Sequence, residues 1–378
     1  MSITVCIFAS TLYYPDGGGH FWVYLNWALG LRALGCRVIW MEAVYPGTAP
    51  SELRTLVTAL KEHLNWYGLS GSVALTCYTG EPLPREMMDG CLGLDSAAEA
   101  DLLLDMSYEI PDKSLRHFRR TALVDLDPGL SQIWMSTGQL PVAKHDYYFT
   151  IGETVGRPEA RFPDLGLQWF YTPPCVALEW WPTCEAPEPG APFSTVTQWN
   201  ADEWVEWGGE IFCNNKREGF LPFLELPRHT SQTLELALGI GDGDEEDCTR
   251  MHEAGWSLRD VRTVTATPAA YQSYLQRSRG EFSCVKPSCV RLQNAWMSDR
   301  TICYMASGKP AVVQNTGPSR FLPKAAGLFR FETVEDAARC LETVAADYGR
   351  HCRLARALVE EYFNARKNLA VVLERGLN

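Results

Sequence analysis

Near the carboxyl end of the chain, Ser298-Asp299-Arg300 opens a short amphipathic run of Ile302, Cys303, Met305 and Ala306 that Gly308 stops. A helix start of this kind carries unpaired backbone N–H groups and partial positive charge, which suits a phosphate. Arg300 stands in the first turn, where the helix dipole favours acidic side chains, and an anionic ligand is one reason to place a cation there. Far upstream, Pro15-Asp16-Gly17-Gly18-Gly19-His20 joins an apolar run to a helical one, and its glycines let backbone approach a ligand. Asp127, ahead of Pro128-Gly129, and Glu153 follow two further apolar runs. Carboxylates there line the crevice in which an open parallel sheet holds its ligands, although Asp127 serves equally well as a turn former. The chemistry on offer is anion binding with acid–base groups beside it.

Those residues need elements to position them. The spacing predicts a strand over 3–8, a helix over 21–34 closed by Gly35, and a second strand over 37–41, a right-handed βαβ unit. The glycine turn does not read GxGxxG, and Glu42 only loosely fills the acidic position after the second strand, so a nicotinamide cofactor is a poor match. A helix over 51–66 and buried strands over 101–105, 121–126 and 147–151 continue the pattern. From 170 to 192 the chain turns proline-rich and loses periodicity, which marks a stiff crossing between two halves. A strand over 193–199, a tryptophan-rich segment, further strands over 310–313 and 328–331, and a helix over 334–348 form the second half. One or two helices over 352–377 end it.

The chain has 378 residues, 46% of them hydrophobic, a composition that builds two globular domains. A net charge of −12 argues against nucleic acid or an anionic membrane as the main partner. No run approaches the ~18 apolar residues of a membrane span. The amino terminus lacks a basic export signal, so a cytoplasmic location with reduced thiols is expected for the 13 scattered cysteines. Cys284 and Cys289 lack zinc-site spacing, and no metal is expected. Asp242, Asp244, Glu246 and Glu253 imitate a calcium loop, but its glycine position holds Asp247, which leaves a solvated acidic loop as the better reading.

This layout, α/β with two facing Rossmann-like domains and a central cleft between them, resembles a GT-B glycosyltransferase. Four places carry the resemblance: Gly17-Gly18-Gly19-His20 between strand and helix, Lys216 early in the second half, Asp299-Arg300 at a helix start, and Ala306-Ser307-Gly308-Lys309-Pro310-Ala311-Val312-Val313 followed by Asn315-Thr316-Gly317. The resemblance implies an acceptor domain over 1–180, a nucleotide-sugar domain over 193–345, and helices over 346–378 packing back on the first. It implies transfer of a sugar from a nucleotide diphosphate, without a cofactor, to a small-molecule or natural-product-like acceptor. Donor contacts would come from Gly18, Gly19, Lys216, Arg217, Glu281, Lys286, Asp299, Arg300, Asn315, Thr316 and Gly317. Glu281-Phe282 is similar to the loop of retaining members that approaches the sugar. His20 falls where many inverting members carry the general base, a task suited to imidazole, with Asp127 as the other candidate. Cys303 stands where many retaining members place a ribose-binding glutamate. Two other readings share this fold: a nucleotide-sugar 2-epimerase, which needs several carboxylates in the cleft, and a non-catalytic sugar-nucleotide binder.

Overall fold

A computed structural model describes residues 2–188, 190–241, 243–322 and 327–378. The amino-terminal half is a seven-stranded sheet, wholly parallel, of β1 (Thr4–Phe8), β2 (Arg37–Val44), β3 (Val73–Cys77), β4 (Leu102–Asp105), β5 (Thr121–Asp125), β6 (Tyr147–Thr150) and β7 (Trp169–Tyr171). Its order is β3-β2-β1-β4-β5-β6-β7. Strands such as β1, β4 and β5 are buried along almost their whole length, as continuous apolar runs covered on both faces must be. Helices α1 (Gly18–Ala33), α2 (Pro50–Asn65) and α3 (Leu130–Thr137) belong to this half.

The second half holds β8 (Phe193–Gln198), a hairpin of β9 (Trp204–Trp207) and β10 (Glu210–Cys213), then β11 (Leu234–Gly239), β12 (Ser257–Asp260), β13 (Gly280–Ser283), β14 (Ala311–Gln314) and β15 (Leu328–Phe331). Apart from the hairpin these form a parallel six-stranded sheet in the order β12-β11-β8-β13-β14-β15. Helices α4 (Pro268–Arg277), α5 (Pro287–Leu292), α6 (Asp299–Ala306) and α7 (Val334–Ala346) connect or cover it, and α8 (Tyr348–Tyr362) and α9 (Ala365–Leu377) follow. The chain returns to the first half at its end. The Val176 N–H donates to the Phe363 carbonyl and the Ala365 N–H to the Val176 carbonyl, and α9 packs on α1.

Two segments differ from the sequence reading. The crossing begins later than 170, because residues 169–171 form the edge strand β7; beyond it, Trp181 is fully buried against Trp22, ring centroids 4.6 Å apart. The tryptophan-rich segment is the β9–β10 hairpin. Gly208 and Gly209 turn it with φ of 63° and 83°, the paired positive values that a two-residue hairpin turn requires. Val205 and Phe212 face Leu130, Ile133 and Phe162 of the other half, so the hairpin is an apolar clasp across the domains.

Candidate functional site

The carboxyl ends of both sheets meet at an inter-domain cleft. One cavity of about 340 Å³ is lined by Gly19 and His20 of α1, Gln198 at the end of β8, Tyr271 of α4, and Asp299 and Arg300 at the start of α6. A second of about 590 Å³ shares Tyr14, Gln198, Val261 and Thr265 with it and adds Asp16, Asn200, Asp244, Asp260 and Arg262. Tyr14 and Gln198 come from opposite domains and are hydrogen-bonded at 3.2 Å where these spaces join. A third, of about 70 Å³, is bounded by Asp127 and Pro128 from the first domain and Lys216, Lys286, Cys289, Asn294 and Trp296 from the second. His20, Asp299 and Arg300, distant in sequence, thus share one cavity, and Asp127, Lys216 and Lys286 share another.

His20 is exposed to that cleft, and its Nε2 lies 2.7 Å from the Ser10 carbonyl at the end of β1. A carbonyl only accepts, so Nε2 carries the proton and Nδ1 keeps its lone pair. Tyr14 and Tyr24 set their rings edge-on to the imidazole, at 5.8 and 5.2 Å between centroids. Desolvation holds the imidazole below the ordinary histidine range, opposed by the Ser10 bond, so it is neutral near pH 7.

The glycines before it have a different purpose from ligand approach. A Cβ on Gly18 would lie 2.4 Å from the Thr267 carbonyl oxygen and 2.7 Å from that of Thr265, and one on Gly19 would press on Tyr271. Gly18 and Gly19 are small because the second domain packs directly on the first turn of α1; only Gly19 of the two also lines the cleft.

Arg300 is likewise explained from inside the protein. Its Nε donates to Glu281 Oε1 at 2.7 Å, Nη1 to the Val196 carbonyl at 2.9 Å and Nη2 to Ser283 Oγ at 2.6 Å. The cation placed against the helix dipole answers a buried carboxylate, not a missing phosphate. Glu281 itself is fully buried in β13 and does not reach the cleft, which corrects its assignment as a sugar-loop residue. Arg217 also turns away, pairing with Asp247 and Glu218; Asp247 is therefore committed to that pair, and Asp242 lies outside the described residues.

Asn315, Thr316 and Gly317 support the wall without lining these cavities. Asn315 donates to Glu332 and Thr316 to the Trp296 carbonyl, while Gly317, at φ 120°, lies against the Gln293 backbone. They shape the stretch from Gln293 to Ser298, where Asn294 is buried and donates to the Pro128 carbonyl of the first domain at 2.7 Å.

The lysines differ from the arginines. Lys286 pairs with Glu203 at 2.9 Å, whereas Lys216 donates to the Cys284 carbonyl at 2.7 Å and has no carboxylate partner among the described residues. Desolvation, with the Arg300 charge adding to it, pulls the Lys216 ammonium down to about 7. Asp299 is pushed up to about 7, chiefly by desolvation with Asp127 contributing. Asp127, at the open side of the cleft, is pushed up to about 6 by desolvation and by Asp125 and Glu203, against Lys286. Lys216 and Asp299 therefore both change charge near neutrality and Asp127 just below it, which suits these groups to proton transfer.

Sequence reasoning did not find Tyr14, Gln198, Tyr271, Asn294 or Trp296. The Gly208-Gly209 pair signalled the hairpin beside them, but nothing local marks the wall residues themselves. Glu42, noted loosely, lies within β2 and is buried.

No family model matches the chain, and no curated protein matches it. Solved structures do. Anabaena HepE in complex with UDP and glucose superposes with a TM-score of 0.56 at 12% identity, over 99% of this chain and 100% of that one. An alpha-glucosyltransferase, AGT, in complex with UDP gives 0.63 at 9% identity over 100% of both chains. AviGT4, a glycosyltransferase of avilamycin A biosynthesis, gives 0.57 at 12% over 99% and 96%. The chain therefore has the GT-B fold of these glycosyltransferases.

Proposed function

We propose that the protein transfers a sugar from a nucleotide-diphosphate sugar to an acceptor in the inter-domain cleft, with His20 as general base. The observation that carries this is the opposition of His20, its Nδ1 unprotonated, to the start of α6 across one cavity, with Lys216 in a separate cavity but within electrostatic reach of Arg300. The diphosphate belongs beside Lys216, since Lys286 is already paired with Glu203, while the carboxylates of the larger cavity, Asp16, Asp244 and Asp260, repel phosphate and leave that space to the nucleoside. UDP in the HepE and AGT structures makes uridine nucleotides the first donors to try. In the reaction Nδ1 takes the acceptor hydroxyl proton, the oxygen bonds to the anomeric carbon, and the bond from that carbon to the diphosphate breaks. The charge that develops on the diphosphate meets Lys216 and the α6 amides. Asp299, half protonated near pH 7, lessens the repulsion it would otherwise exert there.

The acceptor class is open to the cleft's chemistry. One AGT structure contains DNA, but the net charge of −12 here disfavours a polyanion. Thermal-shift screening against nucleotides and nucleotide sugars tests the donor assignment: a cleft ligand raises Tm with its affinity, and no response to any nucleotide diphosphate would overturn it. A second reading draws on Asp127 and Asp299, since two carboxyls near neutrality also suit epimerisation of a nucleotide sugar. Recovery of donor sugar epimerised at C2 without acceptor present would favour that reading over transfer.

A further inference from the structure

The base reading leaves open what fixes the His20 ring, and a buried carboxylate one strand away supplies the answer. Glu42 extends from β2 under the loop that follows β1 and is 1% exposed. Its Oε2 accepts from the backbone N–H of Thr11 at 2.9 Å and of Leu12 at 3.2 Å, and its Oε1 accepts from the Trp40 indole at 2.8 Å and the Thr11 hydroxyl at 2.5 Å. Three of these partners are N–H groups that can only donate, so the site demands a carboxylate and not an amide. The Thr11 N–H and the Ser10 carbonyl belong to the same peptide unit, which is planar. Holding the N–H therefore sets the direction of the carbonyl, and that carbonyl is the one hydrogen-bonded to His20 Nε2 at 2.7 Å. Further back, the Ala9 N–H is held by the Met41 carbonyl at 2.9 Å, which anchors the chain where it leaves β1.

We propose that Glu42 is a positioning residue for His20: it locks the Ser10–Thr11 peptide, and that peptide fixes the imidazole with Nε2 protonated and Nδ1 presented as the base. Part of this rests on the transferase reading. The tether itself does not, and the two are tested separately.

Nitrogen NMR of the histidine side chains, with His20→Gln identifying the signal, reads the tether without any substrate. The wild type shows a single Nε2–H tautomer at His20, and Glu42→Gln converts it to a mixture; an Nδ1–H tautomer in the wild type, or an unchanged signal in the variant, overturns the proposal. Thr11→Val, which removes only the hydroxyl bond to Glu42, provides a milder change should Glu42→Gln fail to fold, and it gives a smaller shift in the same direction. In transfer assays Glu42→Gln lowers kcat about tenfold or more with donor KM unchanged. In a His20→Ala background the same change lowers kcat no further, because both act through one group. Additive losses would assign Glu42 a purely structural role and overturn the proposal. Full activity in His20→Ala alone would instead sink the base assignment while leaving the NMR result to stand.

Discussion

Arg300 and Lys216 both reach the inter-domain cleft from the second domain, in adjoining parts of it, and have the same formal charge, but the protein uses them differently. Arg300 has three guanidinium nitrogens bonded inside the second domain, one of them to Glu281. Among the described residues Lys216 donates to the Cys284 carbonyl and lies 6.0 Å from the Trp296 ring centre, and its charge is weakened by desolvation. One cation is spent on fixing α6 to the ends of β8 and β13. The other has no carboxylate partner among the described residues. A positive charge in a cleft identifies a binding group only after its internal partners are counted.

The largest effect that sharpens this contrast falls on Arg300. Arg300→Met leaves Glu281 charged and buried without a partner, and should lower unfolding stability by about 3–5 kcal/mol in denaturant titration. Adding Glu281→Gln should recover most of that loss, since no lone charge remains. A variant as stable as the wild type would mean the guanidinium is not committed as the geometry indicates. Next comes the floor on which both walls stand. Gly18→Ala forces a methyl against the Thr265 and Thr267 carbonyls and should destabilise by about 1–3 kcal/mol. A Tm equal to the wild type would show that the domains are free to part there.

The smallest of these effects is a pH dependence. The Lys216 ammonium titrates at about 7 in the free protein, so it is charged below that pH and neutral above it. Asp299, at about 7, gains negative charge over the same range, and Asp127 does so from about 6. All three changes disfavour an anion. Affinity for a nucleotide sugar should thus be highest below pH 6 and fall as pH rises through 7, Lys216 alone giving up to about tenfold per unit. A sugar nucleotide is preferable to the free diphosphate here, because the terminal phosphate of the latter titrates near 6. Flat affinity from pH 6 to 8.5 would argue that Lys216 is fully charged throughout.

The sequence carried the layers of this fold well. Apolar runs with glycine turns gave β1, β4, β5 and β8 their places, and Ser298 with Gly308 bracketed α6 because capping is a local matter. Partner choice is not local. Nothing near Arg300 in the chain announces that Glu281 on β13 will take its charge, and nothing around Gly18 shows that a carbonyl from the second domain will sit on it. Arg217, Glu281, Asn315 and Gly18, which the resemblance implies as donor contacts, lie away from the cavities, while Gly19 lines one of them. His20 was legible as a candidate, but its tautomer depends on a carbonyl ten residues back that only the folded loop brings round.

The central claim is that the cleft binds a nucleotide diphosphate through Lys216. Calorimetric titration of UDP into the wild type and Lys216→Met tests it most directly. Loss of a charge-assisted bond predicts affinity about 10- to 100-fold weaker in the variant, roughly 1.5–3 kcal/mol, while the unliganded Tm is unchanged or higher because a desolvated lysine has been removed. Equal affinity in the two proteins, or no binding of UDP to the wild type, would contradict it.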